Sequence, residues 1–116
     1  MATQYLGAGT FLANTAITTN LGVVLSSNGG VGLSTSTACD GFALVDGASG
    51  DYISVAFLTN NGTLKGTLAA APITAGDTVY LGSSGLISTT GTVTIGKAKV
   101  SSSTTGSTIE FIPKNV

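Results

Sequence analysis

The chain has 116 residues, enough for one domain with a real core, and 42% of them are hydrophobic. Only 8% are charged, against about 25% in an ordinary soluble domain, and the net charge is −1. There is no His, Trp or Arg and a single Cys. The usual suppliers of acid–base and nucleophilic chemistry are therefore missing, and the four lysines are too scattered to make a nucleic-acid patch.

From the N-terminus, Met1-Ala2-Thr3-Gln4-Tyr5 shows neither the positive region nor the apolar block of a signal peptide. The expectation is an unprocessed, soluble chain made in the cytosol. Residues up to about 15 read as an arm before the first hairpin, with Tyr5 and Phe11 as aromatic anchors. Next, Gly22-Val23-Val24-Leu25 and Val31-Gly32-Leu33 flank Asn28-Gly29-Gly30, a hairpin signature. Cys39 has no second Cys to pair with and reads as a small buried hydrophobe. Gly41-Phe42-Ala43-Leu44-Val45 leads through a flexible loop, Asp46-Gly47-Ala48-Ser49-Gly50-Asp51, to the alternating strand of Ile53, Val55 and Phe57.

Asn60-Asn61-Gly62 then stands between Val55–Leu58 and Thr63-Leu64-Lys65, which predicts a second hairpin. Leu68-Ala69-Ala70-Ala71-Pro72-Ile73 is the longest apolar stretch, far short of the roughly 20 residues of a membrane helix. Val79-Tyr80-Leu81 and Leu86-Ile87-Ser88 flank Ser83-Ser84-Gly85, a third hairpin. Val93, Ile95, Ala98 and Val100 form a further strand, and Ile109 with Phe111 the last, after the loop 101–106. Short strands at regular spacing with turns between them predict an all-β fold, a small barrel or sandwich. The seven aromatic residues are expected mostly in its core.

A shift of 55 positions places Val24 on Val79, Gly30 on Gly85, Gly41 on Gly96, Ala43 on Ala98 and Val45 on Val100. One inserted residue later, Gly50 falls on Gly106 and Ile53 on Ile109. This pattern is compatible with two similar halves, although chance matches are frequent in so Gly-, Ser- and Thr-rich a chain. The carboxylates Asp40, Asp46, Asp51 and Asp77 sit in turns, where side chains usually accept local backbone N–H groups. Their spacing gives neither a calcium loop nor a paired-carboxylate dyad, so no metal, cofactor or catalytic residue is expected. With so few charges, much of the surface is expected to be covered by partners, and neither nucleic acid nor membrane is among them.

Three blocks carry a family resemblance. They are Gly41–Val45 with Ala48–Asp51 and Ile53–Val55; Ile73-Thr74-Ala75-Gly76-Asp77-Thr78-Val79-Tyr80 with its Ser83-Ser84-Gly85 turn; and Ile95–Ala98 with the tail Thr108–Ile112. Together they resemble the capsid decoration, or cement, proteins of tailed bacteriophages over about residues 20–112. The resemblance implies a compact β-barrel or β-tulip of short antiparallel strands, residues 16–116, with an extended N-terminal arm, residues 1–15. It implies a homotrimer on the outer surface of the virion capsid that bridges subunits of the major capsid protein and stabilises the expanded shell. The arm residues Ala2, Thr3, Gln4, Tyr5, Leu6, Phe11 and Leu12 are the candidate capsid contacts. The alternatives are a phage tail or fibre module and a carbohydrate-binding or adhesive β-domain, the latter weakened by the absence of Trp.

Overall fold

The computed structural model describes residues 8–58 and 62–113. These residues form strands and turns with no helix, so none is long and apolar enough to cross a membrane. The strands are β1 (Ala8–Leu12), β2 (Gly22–Leu25), β3 (Val31–Leu33), β4 (Gly41–Ala43) and β5 (Tyr52–Phe57), followed by β6 (Leu64–Thr67), β7 (Thr78–Leu81), β8 (Ile87–Ser88), β9 (Thr94–Ala98) and β10 (Thr108–Pro113). They make two antiparallel five-stranded sheets, ordered β1-β5-β4-β2-β3 and β6-β10-β9-β7-β8. The all-β expectation holds, and the second sheet repeats the topology of the first.

The duplication is visible in single rungs. Val23 opposes Gly41 as Val79 opposes Gly96, and Ala43 opposes Val55 as Ala98 opposes Phe111. Even isolated bridges recur: Ala13 to Val31 as Leu68 to Ile87, and Ile17 to Gly47 as Ile73 to Ser102. The structural register differs by one residue from the sequence match in the first hairpin. Val23, not Val24, is the counterpart of Val79. Gly29, not Gly30, matches Gly85, because both adopt left-handed backbone (φ 85° and 81°).

The Gly-x-Ala element of each half has a steric cause. A side chain on Gly41 would collide with the Ala56 carbonyl oxygen, and one on Gly96 with the Ile112 carbonyl oxygen. In both halves two strands therefore approach more closely than any Cβ permits.

The sheets remain open. In each half the parallel bridge just described is what links the two sheet edges, in place of the continuous ladder of a closed barrel. The Asn60-Asn61-Gly62 hairpin is also corrected. Asn60 and Asn61 lie outside the described residues, but the strands on either side belong to different sheets. Strand β5 is already paired on both edges, by β1 and β4, so it has no edge to offer β6. The segment joins the halves. The hairpins at Asn28-Gly29-Gly30 and Ser83-Ser84-Gly85 form as expected.

Two buried clusters make up the core. One is built by the first half alone: Ala13, Ile17, Val23, Val31, Ala43, Ile53 and Val55. The other gathers the inward residues of the second half, among them Leu64, Ile87, Ile109 and Phe111, together with Phe42 and Ala56 of the first. The Phe42 and Phe111 rings meet edge to face at 5.3 Å. Main-chain bonds also tie the halves. Gly22 N–H donates to Gly85 O at 2.7 Å, and Gly85 N–H donates to Ser34 O at 2.9 Å.

Candidate interaction surfaces

Strand alternation sorts the first sheet into an inner face, with Ile53 and Val55, and an outer face, with Tyr52, Ser54 and Ala56. Thr10 opposes Ser54, Leu12 opposes Tyr52, and Leu44 N–H donates to Ser54 O. The outer face thus presents Thr10, Leu12, Leu44, Tyr52 and Ser54, none of them ionic. Tyr52 is 69% exposed and Leu44 48%, unusual for large apolar residues on a free surface. Tyr52 departs from the expectation that the aromatics sit mostly in the core. At this end of β5 only the inner face is buried, and the phenol falls on the other.

The corresponding face of the second sheet is ionic. Lys65 opposes Glu110, Lys97 opposes Ile112, and Lys99 pairs with Glu110 at 3.5 Å. The Thr63 hydroxyl donates to Glu110 and, with help from Lys99 and Lys65, holds its carboxyl below the usual range.

Between the halves lies an apolar cavity of about 590 Å³. Phe11, Val31, Val55 and Phe57 of the first half line one side, and Leu81, Val93 and Ile95 of the second line the other. Leu25, Thr37, Ala38 and Asp40, all exposed, also contribute to its lining. Cys39 also lines it, half-buried where full burial was expected, with its thiol directed to Gly41 O at 3.3 Å. Burial pushes that thiol up to about 11, which suits a packing residue and not a nucleophile. The fully buried Ser34 hydroxyl has no oxygen or nitrogen partner and neighbours the Cys39 sulfur.

Asp51 and Asp77 serve their own turns as expected, whereas Asp46 and Asp40 reach across to segments distant in sequence. Asp46 accepts both the backbone N–H and the hydroxyl of Thr19 at 2.7 Å, which holds its pKa below the usual range. Asp51 accepts Ala48 N–H, Asp77 accepts Thr74 N–H, and Asp40 accepts Leu25 N–H. Among the described residues no group of three His, Cys, Asp or Glu side chains could hold a metal ion.

Of the predicted arm contacts, Ala2, Thr3, Gln4, Tyr5 and Leu6 lie outside the described residues. Phe11 and Leu12 are half-buried in β1, which is the edge strand of the first sheet. Phe11 packs edge to face on Phe57 at 5.8 Å and joins the first-half core. The exposed residues Leu44, Val45 and Tyr52 were not singled out as contacts by sequence reasoning. The available signal was Leu44-Val45 running on past a Gly-x-Ala strand that needs no further apolar residues.

These features define a class: an open, two-sheet tandem β-module. No family model matches the chain, and no curated protein matches its sequence. Among solved structures, the fold is similar to that of the head fiber gp8.5 N base in bacteriophage phi29. The TM-score is 0.75 over 92% of each chain at 17% sequence identity. That is a likeness of fold.

Proposed function

We propose that this chain is a structural module of a bacteriophage virion carried on the outside of the head. It decorates and stabilises the expanded capsid as a homotrimer that bridges major capsid protein subunits, and it performs no catalysis. The observation that carries this reading is the likeness of fold, along nearly the whole chain, to the base of a phage head fiber. The sequence blocks that resemble cement proteins point to the same side of the virion.

The outer face of the first sheet is the capsid-facing surface in this reading. An uncharged face with exposed Tyr and Leu offers apolar area and side-chain hydroxyls. Such contacts are insensitive to salt because screening acts on charges. Away from the capsid, Lys65, Lys99 and Glu110 of the second sheet are the solvated charges.

The test is binding of purified protein to expanded heads, followed by heating decorated and bare heads in parallel. Binding with a raised disruption temperature is expected, and Tyr52→Ser with Leu44→Ser should abolish both. Failure to bind heads ends this reading. A second reading follows from the head-fiber neighbour: a fibre base that binds heads and leaves the disruption temperature unchanged. The same experiment separates the two.

A further inference from the structure

Each half has one row of side chains at the same ladder position on its outer face. In the first half it is Gly22–Phe42–Ala56, and in the second Thr78–Lys97–Ile112. The first row is buried and seats on the second half. There Phe42 lies against Phe111 in the cluster that contains Ile87, beside Gly66, whose missing side chain leaves the space. The second row is uncovered, with Thr78 half-buried, Lys97 in solvent and Ile112 56% accessible.

The seat has a counterpart too. Register places Phe111 with Val55, Ile87 with Val31 and Gly66 with Phe11. All three first-half counterparts line the open cavity of about 590 Å³. The second half therefore has a filled seat and an unused row; the first has a used row and a cavity still open to solvent, although Phe11 stands there in the place of Gly66 and Val31 and Val55 are already buried.

We propose that copies of this chain stack head to tail, the Thr78–Lys97–Ile112 row of one copy covering the first-half cavity of the next. Chemistry on both sides agrees. Ile112 and the aliphatic stem of Lys97 meet Phe11, Phe57 and the exposed Leu25, and the Lys97 ammonium reaches Asp40 among the lining groups. Charge is segregated in the same sense. Asp40, Asp46 and Asp51 lie in the first half, which has no lysine, while all four lysines lie in the second, against Asp77 and Glu110. The contact joins two different surfaces, so it generates rings or filaments and not isolated pairs. It needs no capsid, and so stands or falls apart from the function proposed above.

Cysteines at Ala38 and Ile112, both exposed, read the contact directly in a Cys39→Ser background. Oxidation of the double-cysteine protein should give a ladder of dimer, trimer and larger species on a non-reducing gel. Each single-cysteine protein can give at most a dimer. Adding Lys97→Glu sets a carboxylate against Asp40 and should cut the ladder yield several-fold, with an unchanged melting temperature showing that the fold is intact. A double-cysteine protein that forms nothing beyond the single-cysteine products overturns the proposal. So does a ladder indifferent to Lys97→Glu.

Discussion

The two halves are built on one ladder and differ in where they place bulk. On the strand pair β1–β5 the first half has Gly9 opposite Val55 and Phe11 opposite Ile53. On β6–β10 the second has Leu64 opposite Phe111 and Gly66 opposite Ile109. The large residue and the glycine have exchanged places along the first strand, and the hollow has moved with them. In the second half that hollow receives Phe42 from outside. In the first half the Phe11 and Phe57 rings fill the hollow over Gly9, and the open cavity is lined by these rings and not by the glycine. A repeated backbone can thus give a closed face and an open one with few substitutions, since topology fixes the rungs and side-chain volume decides what is filled.

Removing the plug should have the largest effect. Phe42→Ala opens the second-half core from its outer side and should cost about 3–5 kcal/mol, read as a shifted urea midpoint. Its ladder counterpart, Lys97→Ala, should stay within about 0.5 kcal/mol in the dissociated protein. Similar losses at the two positions would mean that the halves do not differ in the way described. Next come the close approaches. Gly41→Ala and Gly96→Ala each drive a methyl group into a main-chain oxygen, and each should cost about 1–3 kcal/mol or more. Near-equal losses are expected, because this is where the halves are alike.

Much of the repeat was legible because it rests on residues with one physical use. Gly41 and Gly96 stand where no side chain fits, and Ala43 and Ala98 follow them into the core. The hairpin turns were legible through Gly29 and Gly85. What the sequence did not disclose is which strand pairs with which across the joint between halves. Asn60-Asn61-Gly62 satisfies the local chemistry of a tight turn, and only the earlier pairing of β5 on both edges excludes it. The interaction surfaces were hidden for a related reason. Phe42 and Lys97 occupy equivalent rungs, so exposure depends on the stacking of sheets. Alternation within one strand does not report that stacking.

A smaller effect tests the turns that precede β2 and β7. Asn20 and Gly76 are counterparts, both donating to a core alanine carbonyl from left-handed backbone, with φ of 71° and 93°. Asn tolerates that region where branched residues do not. Gly76→Asn should cost about 1 kcal/mol or less, whereas Gly76→Val should cost about 1–3 kcal/mol. Thermal unfolding of the two variants checks the order, and equal melting temperatures would contradict the equivalence.

The smallest effects are electrostatic, and they again set one half against the other. Asp46 and Glu110 both have depressed pKa values. A depressed carboxylate contributes stability that is fully present above its unfolded value, near about 4. That contribution is lost as pH falls through the folded value. Both should therefore stabilise the protein at neutral pH and cease to do so in acid. The anchors differ in kind. For Asp46 the leading cause is the backbone N–H of Thr19, which survives Thr19→Val; for Glu110 it is the hydroxyl of Thr63, which Thr63→Val removes. Carboxyl carbon chemical shifts followed through an acid titration should show Glu110 rising clearly in Thr63→Val. Asp46 should rise less in Thr19→Val, because the main chain keeps hold of it. A larger rise for Asp46 would show that the first-half turn depends on its side chains, and that its backbone anchor is not what holds the loop.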